Sequence, residues 1–251
     1  MPTALITGPT AGIGRSFADA YAARGFDLVL VSRDSERLKG VADEVSRTYG
    51  VGCEVLPADL ADSDDLARVE ARVADHQRPV EAVVNNAGYG IARWFGDTTV
   101  EEEQHSLDVL VRAPMRLSHA ALGRMLRHGG GELVNVSSMA GFTPRGSYGA
   151  HKAWVTSLTQ WINIAYRDRG IKATAVCPGF VRTEFHQRAN LDLSSIPGWM
   201  WLQADRVVDE AMRDLLAGKA VSIPSRRYRT LHRVSRFVPR QVVAQIARRG
   251  R

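Results

Sequence analysis

A doubly wound α/β fold, one parallel sheet of about seven strands in a single domain, is the architecture this sequence predicts. Three observations predict it. Short β-like runs alternate with helical patterns from the first residues onward, those runs are apolar on both faces, and no linker or internal repeat divides the 251-residue body. Hydrophobic residues make up 45% of the chain, enough for a large core, and sheets of this class reach such a length as one unit. Parallel crossovers are right-handed almost without exception, which leaves few topologies.

The strand-like runs fall near Ala4–Thr7, Asp27–Val31, Cys53–Pro57, Ala82–Asn85, Glu132–Val136, Lys172–Cys177 and Ala220–Ile223. Helical patterns lie between them, over Gly14–Arg24, Asp34–Tyr49 and Asp62–His76 among others. Two segments break the rhythm. Residues 184–203 form a long connection ending in Pro197-Gly198-Trp199-Met200-Trp201-Leu202, and residues 225–251 form an arginine-rich tail. The expected organisation is therefore a catalytic body over 1–224, with 184–203 as a substrate lid, and a basic extension over 225–251.

Charge is unevenly placed. The formal net charge is +6, yet the stretch from Lys219 to the end carries that lysine and nine arginines with no acid. The body is mildly acidic and only the tail is basic. Cys53 and Cys177 stand alone in apparent strands without metal-ligand spacing, and none of the seven histidines has such spacing, so no metal is expected. Free thiols, the absence of an apolar run of membrane-spanning length, and a first strand that begins at once predict a cytoplasmic protein.

The first strand runs into Thr7-Gly8-Pro9-Thr10-Ala11-Gly12-Ile13-Gly14, which opens a helix. Gly8 permits a tight turn, Gly12 lets backbone approach a pyrophosphate, and Gly14 lets the helix pack close to the sheet. Free N–H groups of that helix, including those near Thr10 and Ile13, would face phosphates. At the end of the second strand stand Ser32 and Arg33, where an acid would grip a ribose 2′-hydroxyl and an arginine accommodates a 2′-phosphate. With Arg15 just after the turn, two guanidiniums could clamp that phosphate, so the expected cofactor is NADP(H) rather than NAD(H). Asp59, followed by Leu60, sits at the carboxyl end of the third strand, where it either accepts from an adenine amine or leads into the next helix ahead of Asp62.

Tyr148 and Lys152 lie four apart, so on a helix they share a face. An ammonium beside a phenol is expected to lower the phenol's pKa. With Ser138 ten residues upstream, the set describes hydride transfer to or from a carbonyl: Tyr148 donates a proton to the oxygen, Ser138 hydrogen-bonds it, and Lys152 tunes the phenol. Ser137 is expected to face the other way, since strand side chains alternate.

In their order, the glycine turn, Asn85-Asn86-Ala87-Gly88, Ser138, Tyr148-x-x-x-Lys152 and Pro178-Gly179 resemble the short-chain dehydrogenases/reductases over roughly residues 2–223. The resemblance implies a seven-stranded Rossmann sheet, a nicotinamide cofactor, and dimers or tetramers built on the two long helices after strands four and five. It assigns Asn86, Ala87 and Gly88 to the cofactor's ribose side. It assigns Pro178, Gly179, Val181 and Thr183 to the nicotinamide region, and gives Lys152 a ribose contact. Two departures stand out. Leu110 occupies the position where the family carries a relay asparagine, with Asp108 two residues off, and the loop from Ser138 to Tyr148 is short.

An apolar, aromatic pocket is expected from Trp94, Phe142, Phe180, Phe185, Trp199 and Trp201, with His186 and Arg188 as loop residues able to meet an acidic group. That lining predicts a bulky hydrophobic ketone or secondary alcohol, acyl, steroid-like or aromatic. The alternative from another class is a catalytically weak dinucleotide-binding sensor or scaffold, supported by Leu110 and the tail. In the tail, Tyr228, Leu231, Val234 and Phe237-Val238 recur at near-helical spacing, then Pro239 opens a second stretch with Val242, Val243 and Ile246. The pattern reads as a basic amphipathic helical pair, docked on the protein's own body or a neighbouring subunit, or lying on an anionic membrane. Nucleic acid is not expected, because no recognition motif accompanies the charge.

Overall fold

Seven strands form one parallel sheet in the computed structural model, which describes residues 1–91, 93–185, 196–235 and 237. The strands are β1 (Thr3–Thr7), β2 (Asp27–Ser32), β3 (Cys53–Pro57), β4 (Ala82–Asn85), β5 (Gly131–Val136), β6 (Ile171–Val176) and β7 (Val221–Ser222), in the order β3-β2-β1-β4-β5-β6-β7. All pairings are parallel. The expected runs are therefore strands, with edges moved by one or two residues. The last is shorter than its apolar run, because only Val221 and Ser222 find partners on β6.

Among the described residues the helices are α1 (Gly12–Ala23), α2 (Ser35–Tyr49), α3 (Ser63–Ala74), α4 (Val100–Leu107), α5 (Ala113–Arg127), α6 (Gly146–Tyr166), α7 (Ala204–Leu216) and α8 (Arg226–Ser235). Their starts are written locally. Asp34 accepts from the Arg37 amide, Asp62 from those of Asp64 and Asp65, and Thr99 and Glu102 make a reciprocal capping box. Between α4 and α5 the helix widens into a π turn over Asp108–Arg112. Pro114, at the start of α5, has no N–H to return to the preceding turn, which favours the irregularity there.

The sheet separates two apolar cores. Phe17, Tyr21, Leu38, Val207 and Leu215 pack α1, α2 and α7 on one face. Leu66, Val69, Leu117, Met125 and Ile162 pack α3, α5 and α6 on the other. Each such side chain, once buried, contributes about 1.5–3 kcal/mol. One surface is unlike the rest: the outer face of α6 presents Trp154, Trp161 and Ile164, the last two each 62% exposed. Both cysteines are free, Cys177 buried and Cys53 half-buried. Among the described residues no helix is long and apolar enough to cross a membrane, and no cluster of His, Cys, Asp or Glu is suited to a metal.

The first stretch of the tail is the helix α8, seated on the body. Tyr228 is buried, its hydroxyl donates to the Met200 carbonyl at 2.8 Å and accepts from the Phe180 amide at 3.1 Å. Arg229 reaches Glu210 of α7 at 2.9 Å, and Glu210 also takes the Ser225 amide. Val238 and the second stretch, with Pro239, Val242, Val243 and Ile246, lie outside the described residues, as do His186 and Arg188.

Candidate active site

The strand order reverses between β1 and β4, and a parallel sheet opens its crevice at such a point, beyond the carboxyl ends of the strands. Here the crevice is a cavity of about 1790 Å³. It runs from Ser32, Arg33, Asp59 and Leu60, across the glycine turn and the β4 end, to Phe142, Phe180 and Phe185.

The glycine turn is built by contacts a side chain would block. Gly8 and Gly12 have φ of 65° and 56°, a region that favours glycine. A Cβ on Gly14 would lie 2.1 Å from the Gly8 carbonyl oxygen and 2.3 Å from Nδ2 of Asn86. A Cβ on Gly12 would meet the Thr183 methyl at 2.5 Å, so this turn is also where the segment after β6 rests. Asn86 donates to the carbonyls of Thr7 and Gly8, both at 3.0 Å, while the Thr7 hydroxyl accepts from the amides of Asn86 and Ala87. The Asn86 side chain thus holds the turn itself, a structural task the resemblance did not assign.

Unlike α2, α3 and α4, helix α1 begins at Ala11 with no side-chain cap and no acid in its first turn. Its orphan N–H groups and positive dipole end face the crevice, where Thr10, Gly12 and Ile13 line the wall. This chain therefore fits a dinucleotide pyrophosphate: the donor set is open, the backbone is bare, and the first turn of α1 carries no carboxylate.

At the adenosine end the expectation needs one correction. Arg15 does not line the crevice. It is held on the outer face of α1 by Asp19 at 3.1 Å and Glu44 at 2.8 Å, and the Glu44 hydrogen bond leads in raising its pKa. Arg37 takes the place given to it. From the first turn of α2 it lines the cavity beside Thr10, whose carbonyl it approaches at 3.5 Å, and it pairs with Glu184 at 2.8 Å. The available signal was its position four residues after Arg33. Arg33 is largely exposed, 3.7 Å from Asp59.

Ser138, Tyr148 and Lys152 come together on one wall. Ser138 follows β5 with its hydroxyl on the Tyr148 side, where it helps draw the phenol's pKa down, Tyr148 and Lys152 share a face of α6, and Lys152 Nζ lies 5.8 Å from the phenol ring centre. Ser137 turns away, its hydroxyl donating to the Lys152 carbonyl at 2.8 Å and bonded to Thr156. The short loop between them stays close to α6, where a Cβ on Gly141 would meet the Lys152 carbonyl carbon at 2.9 Å.

The electrostatics differ from the expectation. The phenol of Tyr148 is pushed up to about 12 by burial, against opposing contributions from the Ser138 hydrogen bond and the Arg145 charge. The Lys152 ammonium, itself buried, is pushed down to about 8 and donates to the Val136 carbonyl at 2.8 Å. Lys152 faces that carbonyl rather than the phenolic oxygen, so it does not hold the phenol down, and desolvation governs both groups. Leu110 adds to the dryness. It is buried on the π turn, and its Cδ2 and Lys152 Nζ both approach Gly88, at 2.8 Å and 3.8 Å from where a Cβ would stand. Asp108 points elsewhere, to Arg112 and Gln104.

Of the residues expected past this point, Pro178, Gly179, Val181 and Thr183 line the cavity, as do Ala87 and Gly88. Val181 is fixed by a parallel bridge to Leu202. Phe142, Phe180 and Phe185 also line it, but three tryptophans do not. Trp94 and Trp199 are 50% and 54% exposed, and Trp201 packs on Phe180 and Arg182 outside the cavity. Met200 points inward where the adjacent tryptophans were expected, and Tyr228, Leu231 and Val234 of α8 complete the lining. Their near-helical spacing was visible in sequence, but not the surface that spacing would meet.

The comparisons with known proteins agree with this geometry. A family model described as short chain dehydrogenase matches residues 2–194. The fold is similar to a short-chain dehydrogenase from Sphingobium yanoikuyae solved in complex with NADPH, at 35% identity, 94% coverage of each chain and a TM-score of 0.85. It is also similar to the bulky-bulky ketone specific alcohol dehydrogenase from Comamonas testosteroni, at 32% identity, covering 94% of this chain and 93% of that one, with a TM-score of 0.81. Among curated relatives, sulfoacetaldehyde reductase 2 from Chromohalobacter salexigens is 34% identical over 186 residues, 72% of this chain and 73% of its own. The chain belongs to the short-chain dehydrogenase family, and is an oxidoreductase acting on CH–OH or carbonyl groups with a nicotinamide cofactor.

Proposed function

We propose that the protein is an NADPH-dependent reductase of bulky hydrophobic ketones, or the corresponding secondary-alcohol dehydrogenase in reverse. The observation that carries this reading is the meeting of Ser138, Tyr148 and Lys152 on the wall of a crevice with two unlike ends. One end offers an uncapped helix N-terminus and the arginines Arg33 and Arg37, and the other is apolar and aromatic. Similarity to the ketone-specific enzyme from Comamonas testosteroni supports the substrate class, and similarity to the NADPH complex supports the cofactor.

The bound nicotinamide would supply the hydride that reaches the carbonyl carbon. Tyr148, protonated throughout the neutral range, gives its proton to the carbonyl oxygen as charge develops there. Ser138 hydrogen-bonds the same oxygen, a donation worth about 3 kcal/mol in comparable sites. Lys152, charged below about pH 8, does not touch the phenolic oxygen but keeps a positive charge beside the ring as negative charge develops at the centre. Asn86 and the glycine turn hold the backbone against the diphosphate, and Ser32 and Arg33 accept the 2′-phosphate, with no acid at the Ser32 position itself. Leu110 leaves this centre without a polar side chain from the π turn, a feature that favours the weakly catalytic alternative.

The apolar stripe of Trp154, Trp161 and Ile164 on α6 supports a homodimer or homotetramer, as a contiguous exposed apolar face marks a partner surface. The free cysteines support a reducing, cytoplasmic setting. The docked α8 supports attachment of the tail to the protein's own body ahead of an anionic membrane surface.

Replacing Tyr148 with Phe should lower kcat by about a hundred- to ten-thousand-fold while NADPH binding, measured by fluorescence titration, stays as in wild type. Normal turnover in that variant would overturn the assignment. The pH profile has a definite sign: Lys152 loses its charge as pH rises through about 8, whereas Tyr148 keeps its proton to about 12. In the reducing direction kcat/KM should therefore hold on the acid side and fall above pH 8. Ser32→Asp should weaken NADPH binding by about tenfold or more and spare NADH, since the new carboxylate faces the 2′-phosphate. Equal affinity of the wild type for both cofactors at low salt would refute the preference. Trp161→Glu should convert an assembly into a 27.6 kDa monomer by light scattering.

A further inference from the structure

We propose that the C-terminal helix α8 is the outer wall of the substrate pocket, and that Leu231 and Val234 set how large a ketone the enzyme accepts. The proposal rests on the carbonyl-reductase reading and adds to it a segment that neither the family match, which ends at residue 194, nor the strand-borne motifs include.

The helix spans the apolar end of the crevice between two anchors. On one side, the Tyr228 ring lies flat against Gly179, where a Cβ would come within 1.9 Å of Cζ, and its hydroxyl bonds the Phe180 amide and the Met200 carbonyl. That side carries the backbone at the nicotinamide end. On the other side, His232 packs at a tilt against Phe142, ring centres 4.1 Å apart, in the loop that joins Ser138 to Tyr148. The helix therefore touches both segments that flank the proposed proton donor. Arg227, bonded to the Trp199 carbonyl at 2.7 Å, and Arg229, bonded to Glu210, hold it from behind.

What the helix presents inward is chemically uniform. Tyr228, Leu231 and Val234 recur on one face and line the cavity, opposite Phe142, Phe180 and Phe185. Leu231 and Val234 line the crevice and are 44% and 56% exposed. Large apolar side chains left open on the inside of a docked helix, rather than buried in its seat, form a surface for an apolar ligand. A substrate with a bulky hydrocarbon or ring substituent beside the carbonyl would cover them. A small one would not reach.

Filling the pocket from this wall tests the idea. Leu231→Trp and Val234→Trp are compared with wild type and with Arg233→Ala, an exposed helix position that does not line the cavity. The readout is the ratio of kcat/KM for a bulky aryl ketone to that for a four-carbon ketone. The Trp variants should lower this ratio by about tenfold or more, with NADPH affinity confirming an intact fold, while Arg233→Ala leaves the ratio alone. An unchanged ratio in both Trp variants, or an equal change in Arg233→Ala, overturns the proposal. Should wild type reduce neither ketone, the reductase reading fails, and the wall is then judged by binding alone. An apolar fluorescent dye added to the NADPH-bound protein should bind less tightly to the Trp variants, and identical binding overturns the wall as well.

Discussion

The architecture turns on the contact between the start of α1 and the end of β4. Asn86 bonds the carbonyls of Thr7 and Gly8, and Gly14 has no side chain to keep them apart. That contact closes the strand-to-helix turn at the point where the strand order reverses, and the crevice opens beside it. Since Thr183 also packs on Gly12, the same turn locates the segment after β6. A side chain at either glycine would displace the crevice wall or the segment after β6.

Dryness rather than charge pairing sets the chemistry of the site. Lys152 is buried, finds the Val136 carbonyl, and shares its surroundings with Leu110. An ammonium in such a place loses its proton more readily, and a phenol there keeps its own. The two displacements act in opposite directions on neighbouring groups. Their combined effect is a phenol held as an acid at neutral pH and a lysine whose charge is within reach of titration. This arrangement suits proton donation to a carbonyl oxygen, and it follows from packing around α6 and the π turn.

The apolar end of the crevice is assembled from parts distant in the chain. Phe142 comes from the loop after β5, Phe180 and Met200 from either end of the connection after β6, and Leu231 and Val234 from α8. Tyr228 is the joint between them, because its ring occupies the space above Gly179 and its hydroxyl satisfies backbone groups of both Phe180 and Met200. A basic segment that looks like a solvent-exposed tail in composition is therefore in part an interior wall.

Short-range chemistry was legible from residues alone. Alternating apolar runs specified the sheet, the glycine spacing specified the turn, and the four-residue step from Tyr148 to Lys152 specified a shared helix face, because each depends only on neighbouring covalent geometry. Ser138 and Ser137 were separable for the same reason, as strand side chains alternate. Contacts between remote segments were not legible. Arg15 was expected at the phosphate but is claimed by Glu44, 29 residues away, while Arg37 enters the crevice instead. Trp199 and Trp201 were expected in the pocket, yet the turn around Met200 points that residue inward. The identity of an aromatic or an arginine states what it can bind, and only the packing of distant elements decides what stands within reach.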